Sequence, residues 1–258
     1  MNHFISVPLT LLLVWFTPVL QAAELIRFIS CPVYRDTQAG RKSGCWLADD
    51  RKTGVRYDIT TSPTKPDWNY AVLVEGLVSD DKDNPCGGKV LQPVRVSILN
   101  TSCPRHQLPA EEFSGRPYSL PARNVKPLSV RRDVSPGPYS ASTFYIFFDH
   151  NKDFIIYQYG DYFLDQAITW IRSAKPKKIK IIGYAATKPE IISTVTVAEN
   201  PAVGKQRAVK IKEALVRLGV EENTIDVEWK TNPDPIDVDG VDGIPSTSLR
   251  RVDIQAMF

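Results

Sequence analysis

Beyond its first 23 residues, the 258-residue sequence has no hydrophobic run long enough to cross a bilayer, which excludes a polytopic membrane protein. Charge of one sign is also lacking. Lys and Arg total 32 against 29 Asp and Glu, for a net +3, whereas a dedicated nucleic-acid binder carries a strongly basic face. Histidine is scarce: once the first segment is set aside, only His106 and His150 remain. No serine sits in a G-x-S-x-G frame, so hydrolase chemistry has no recognisable nucleophile. No C-x-x-C spacing occurs, and a zinc site would have only His106 near the cysteines. No cofactor or nucleotide site is implied, and the chain reads as non-catalytic.

The apolar stretch that is present lies at the start. Residues 7–20 read VPLTLLLVWFTPVL and precede Ala22 and Ala23, which has the length and small-residue exit of a signal peptide over residues 1–23. An uncleaved anchor is the rival reading, but Pro8 and Pro18 make the segment a poor helix. Cys31 lies too far beyond it for lipidation. The expected location is the periplasm of a Gram-negative cell, with possible attachment to outer membrane or cell wall and no membrane span after cleavage.

Export accounts for the four cysteines, Cys31, Cys45, Cys86 and Cys103, as disulfides of an oxidising compartment. Four cysteines allow three connectivities. The pairs Cys31–Cys45 and Cys86–Cys103 are favoured because each closes a short local loop.

The remainder divides by texture. Residues 24–115 carry short β-type runs at Gly44–Ala48, Val55–Thr60, Tyr70–Val78 and Val94–Leu99, with a hairpin connection at Asp49–Gly54. These predict a small disulfide-bonded all-β domain in which Trp46, Tyr57, Trp68 and Tyr70 are core or, less simply, a ligand-binding aromatic patch. Residues 116–141, with five prolines among Arg123, Lys126, Arg131 and Arg132, read as a semi-rigid basic linker. In residues 142–258, strands are expected at Ser142–Phe148, Lys177–Gly183, Ile225–Trp229 and Arg251–Ala256. Helices are expected at Asp161–Ala174, on the spacing of Phe163, Ala167 and Trp170, and at Ala202–Leu218, stopped by Gly219. The fold class is therefore α+β: the β domain first, then β-α-β-α-β-β with a mixed sheet and both helices on one face. Counted from Asp237, a calcium loop needs an oxygen ligand at position 5 and Glu at position 12, but these are Val241 and Ser248, so Asp237–Gly243 reads as a plain turn.

Four segments of the second half, in order, resemble the OmpA-like C-terminal domain family, a peptidoglycan-associating module, over residues 143–258. They are Phe147-Phe148-Asp149, Ile181-Ile182-Gly183-Tyr184, Asn200 to Ala208, and Leu249 to Ile254. The resemblance implies a clamp in which an Asp and an Arg hold the ammonium and carboxylate of a stem-peptide diaminopimelate. The family Arg falls on Arg207, with Tyr184 and Asn200 in neighbouring motif positions. The family Asp falls on Ala186, and the loop after it, Thr187 to Glu199, is longer than usual. Glu190 or Glu199 is the candidate replacement, and solvated loop acids are the plainer alternative. Two readings stay open: peptidoglycan association, with the β domain contacting an envelope protein, or an envelope scaffold that has lost cell-wall binding.

Overall fold

A computed structural model describes residues 23–37, 44–80, 86–111 and 136–258. The expected signal peptide lies outside the described residues, as does most of the expected linker.

The first part is built from β1 (Leu25–Ser30), β2 (Pro32–Thr37), β3 (Cys45–Asp50), β4 (Val55–Asp58), β5 (Tyr70–Val78), β6 (Lys89–Ser102) and β7 (His106–Glu111). They form one seven-stranded sheet in the order β1-β5-β6-β4-β3-β2-β7. Phe28, Val72, Val74 and Val96 from one half pack against Trp46, Ala48 and Tyr57 from the other in a single cluster, so the sheet folds over on its own apolar face. Trp46 and Trp68 belong to this packing at 5.3 Å, while Tyr70 is exposed. The Asp49–Gly54 hairpin connection forms between β3 and β4, with Gly54 N–H on the Asp50 carbonyl at 2.8 Å. Strands β1, β2 and β7 are additions to the sequence expectation.

The disulfides join Cys31 to Cys103 and Cys45 to Cys86, which corrects the local pairing favoured above. The reason is strand adjacency. Both neighbours of β5 end at its start, with Ser30 opposite Val72 and Ser102 opposite Tyr70. Cys31 and Cys103, the next residues of β1 and β6, therefore meet there. Cys45 and Cys86 likewise flank β4, whose partners are β3 and the start of β6.

The second part follows the expected order: β8 (Ser142–Phe147), α1 (Tyr159–Ala174), β9 (Lys178–Ala185), α2 (Ala202–Arg217), β12 (Ile225–Thr231) and β13 (Arg251–Met257). A short hairpin, β10 (Glu190–Ile192) and β11 (Val195–Val197), is inserted between β9 and α2. The sheet order is β12-β9-β13-β8, with β12 parallel to β9 and β13 antiparallel to both its neighbours. Phe163, Ala167 and Ile168 of α1 share one core with Ala208, Ile211 and Leu215 of α2 and with Ile181, Val252 and Ile254 of the sheet. Both helices therefore cover the same face. Helix α2 stops as its sequence predicts: Gly219 takes φ +92°, Val220 N–H reaches the Leu215 carbonyl and Gly219 N–H that of Val216, a Schellman ending.

Candidate functional site

Helix α2 approaches β9 more closely than side chains would allow. A Cβ on Gly183 would stand 2.0 Å from the Gly204 carbonyl oxygen, so the contact is made by backbone alone. One helical turn after Gly204, this proximity delivers Arg207 to the carboxyl end of β9. There Arg207 is wholly buried. Its Nε donates to the Lys152 carbonyl at 2.8 Å, Nη1 to the Tyr184 carbonyl at 2.7 Å, and Nη2 to the Asp149 carbonyl at 3.0 Å. The remaining two donors form a fork to Glu199, at 2.9 Å to Oε2 and 2.5 Å to Oε1. A guanidinium has five N–H donors, and here all five are taken.

Glu199 is equally engaged. Besides the fork, Oε1 accepts the Asn151 N–H and Oε2 the Ala186 N–H, each at 2.7 Å. Burial pushes this carboxyl up, but the Arg207 hydrogen bonds and charge outweigh it and hold the group below the usual carboxylate range. Glu199 is thus neither a solvated loop acid nor an open partner for a ligand ammonium. It is the internal counterion of Arg207, and its carboxylate is bonded to the backbone of Ala186, where the family resemblance places an Asp.

The other candidates take separate positions. Tyr184 lies under the Arg251 guanidinium, 4.6 Å from ring centre to Cζ, and its hydroxyl is pushed up by burial and by Asp253. Asn200 accepts the Ala202 N–H at 2.9 Å at the start of α2, a turn-forming role. Glu190 sits on the β10–β11 hairpin, whose turn residues Ser193 and Thr194 both have positive φ. This is the twist that tight hairpins require. From there Glu190 pairs with Arg27 of β1 at 2.8 Å, and Ser193 Oγ accepts the Ile29 N–H at 3.1 Å. The unusually long loop therefore docks on the edge strand of the first sheet, where unpaired N–H groups need a partner.

That docking is one edge of a polar interface that the sequence reading missed. Glu75, fully buried on β5, takes Arg27 at 3.0 Å on one oxygen and Arg250 at 2.5 Å on the other. Burial opposes its ionisation, but Arg250 and Arg27 prevail and bring it down to about 2. Arg95 on β6 reaches the Gly240 carbonyl at 3.0 Å and Asp242 at 2.9 Å, while its guanidinium lies 3.7 Å from the Tyr159 ring centre. The 237–243 segment forms the expected turn, and it also latches onto the first sheet through Gly240 and Asp242. Thr64 donates to Asp149 at 2.6 Å, and Ser97 Oγ accepts the His150 N–H at 2.8 Å. Burial raises Asp149 to about 6 and lowers His150 to about 4. The available signal was a charge inside an apolar strand, Glu75 in YAVLVEGLV and Arg95 in VRVSIL.

Beside Ala186 and between the two domains lies a cleft of about 190 Å3. Among the described residues, no group of His, Cys, Asp and Glu is arranged to hold a metal ion, and no helix is long and apolar enough to cross a membrane.

Residues 147–243 match the sequence model of the OmpA family. No curated protein matches the chain. Among solved structures, it is similar to the OmpA-like domain of FopA1 from Francisella tularensis subsp. tularensis SCHU S4, at 15% identity, 45% of this chain, 71% of that one and a TM-score of 0.35. It is also similar to the peptidoglycan-associated lipoprotein from Burkholderia pseudomallei, at 23% identity, 43% and 87% coverage and a TM-score of 0.33. A third is the cell wall anchor of the T6SS from Pseudomonas aeruginosa, at 16% identity, 45% and 81% coverage and a TM-score of 0.34.

Proposed function

We propose that this chain, whose residues 147–243 form an OmpA-family domain, is an exported, non-catalytic cell-envelope scaffold that no longer uses Arg207 to hold peptidoglycan. The observation that carries this reading is the closed Arg207–Glu199 pair. A stem-peptide carboxylate reaching Arg207 must first displace Glu199. A ligand fork on Arg207 would only replace the fork it breaks, while the Asn151 and Ala186 N–H groups would lose the acceptor that Glu199 gives them, so the exchange offers little net gain. The OmpA-like domain then serves as a platform on which the disulfide-bonded β domain is fixed, and the β domain presents the surface that an envelope protein partner meets.

One observation favours a second reading, continued peptidoglycan association: the cleft beside Ala186 is open and carries charges of both signs, Lys188 and Glu190 among them. Co-sedimentation of the mature protein with insoluble peptidoglycan separates the two. The scaffold reading expects the protein to stay in the supernatant. Pelleting that is lost in Lys188→Gln would reinstate association, through the cleft rather than through Arg207.

A further inference from the structure

We propose that the cleft between the β domain and the OmpA-like domain binds the C-terminal carboxylate of a short peptide, held by Arg27 and Lys188 in exchange for Glu190. Three cations border it, Arg27, Lys188 and Arg250. Two carboxylates touch them: Glu75 on Arg27 and Arg250, and Glu190 on Arg27. One positive charge is left over, and it resides at Lys188, which is exposed and makes no ion pair among the described residues. A ligand carboxylate that takes the place of the Glu190 carboxylate on Arg27 keeps that ion pair balanced one for one and adds Lys188 as a second contact.

The contacts differ in how readily they exchange. The Glu75–Arg250 pair is dry and fixes the floor, with side-chain exposures of 0% and 5%. Arg27 and Glu190 are 27% and 45% exposed, and an ion pair open to water is weak and replaceable. Lys188 is held in place through its backbone, since the Thr187 and Lys188 N–H groups both reach Asn232 Oδ1, at 2.7 and 2.8 Å. Its side chain remains unconstrained. His150, mostly neutral at pH 7 because its pKa is lowered to about 4, adds a ring able to hydrogen-bond without adding charge.

Size and wall chemistry narrow the ligand. Drug-sized sites run to about 300–1,000 Å3, and this cleft, at about 190 Å3, suits a chain end. Leu73, Val197, Pro233 and Leu249 line it, offering apolar contact to the last side chain.

The test is a calorimetric titration of the full mature protein with N-acetyl-Ala-Ala, with its C-terminal amide, with acetate and with inorganic phosphate. The acid is expected to bind, and the amide to bind about tenfold more weakly or worse, as for loss of a charge-assisted hydrogen bond. Lys188→Gln should weaken the acid similarly, and Glu190→Gln should tighten it by removing the internal competitor. Both side chains are exposed, so circular dichroism should show both variants folded. No binding of the acid, equal binding of the amide, or an unchanged affinity in both variants overturns the proposal. Phosphate or acetate binding as tightly as the peptide overturns the peptide assignment and leaves a general anion site. None of these outcomes depends on whether the protein pellets with peptidoglycan.

Discussion

Glu199 and Arg207, eight residues apart in the chain, meet as a two-pronged pair from which solvent is excluded on both sides. Between them they also satisfy three carbonyls and two N–H groups of the surrounding backbone. The pair therefore ties the start of α2 to the end of β9 and to the turn after β8. Arg207 is a structural cation here, and its chemistry is spent on the fold.

Substitution of either partner should show this. Glu199→Ala leaves a buried guanidinium unpaired and is expected to cost about 3–5 kcal/mol. Glu199→Gln should cost less, because its remaining oxygen can still accept the Ala186 or Asn151 N–H. Arg207→Lys should not rescue the site, since one ammonium has three donors for five acceptors. Urea unfolding of the three variants checks the ranking, and a Glu199→Ala protein as stable as wild type would remove the structural role.

Glu75 is the corresponding group between the domains. It lies on β5 and binds Arg250 immediately before β13, so neutralising it strands a buried arginine at the interface. Glu75→Gln is expected to lower stability by about 3–5 kcal/mol and to loosen the two sheets from each other. In scanning calorimetry, a single transition should give way to two, the first of them the release of one domain. A variant that unfolds in one transition at the wild-type temperature would show that the apolar contacts alone hold the domains together.

The contrast between the halves shows what was legible in the residues. Helices α1 and α2 could be read because their apolar positions recur over four turns and Gly219 stops the second. Even so, α1 begins at Tyr159, two residues before the expected Asp161, because Gln158 adopts φ +63° and its N–H reaches Asp161 at 3.4 Å. Strands β1 and β2 run almost without interruption, Leu25–Ser30 and Pro32–Thr37, with Cys31 alone between them and only Ser30 and Pro32 to mark the break. The pairing of Glu199 with Arg207 was half legible: the missing acid at Ala186 and the long loop raised the question. The answer depended on where the inserted hairpin returned the chain, which no local pattern encodes.

The disulfides pose the same problem of adjacency. Non-reducing proteolysis with mass mapping should recover Cys31–Cys103 and Cys45–Cys86. Removing the second bridge by Cys45→Ala with Cys86→Ala should cost about 2–4 kcal/mol, as expected for a closed loop of tens of residues. It spans a sequence separation of 41, against 72 for the other. Recovery of Cys31–Cys45 would contradict the strand order of the first sheet.

Asp149 and His150 are adjacent, both face the interface, and burial moves them in opposite directions. Asp149 rises from 3.8 to about 6. The native state therefore binds its proton more readily than the unfolded chain, and this contribution to stability grows as pH falls from about 6 to 3.8. His150 falls from 6.5 to about 4, so its contribution is present above 6.5 and is lost as pH falls toward 4. The groups acting on the pair include Thr64 on Asp149, Glu199 and Glu75 on His150, and Arg207 and Arg250 on both, with Arg95 on Asp149. Glu75, held at about 2, loses its contribution only below its ordinary value of 4.5. Between pH 6.5 and 4.5 the two neighbouring effects therefore oppose each other, and the wild-type protein should change little in stability there. His150→Gln exposes the Asp149 effect and should become more stable on acidification, by about 2–3 kcal/mol across the window. Asp149→Asn exposes the His150 effect and should become less stable by a similar amount. Urea midpoints at pH 7, 5.5 and 4.5 for the three proteins decide it, and parallel pH profiles in all three would show that neither group titrates at the interface.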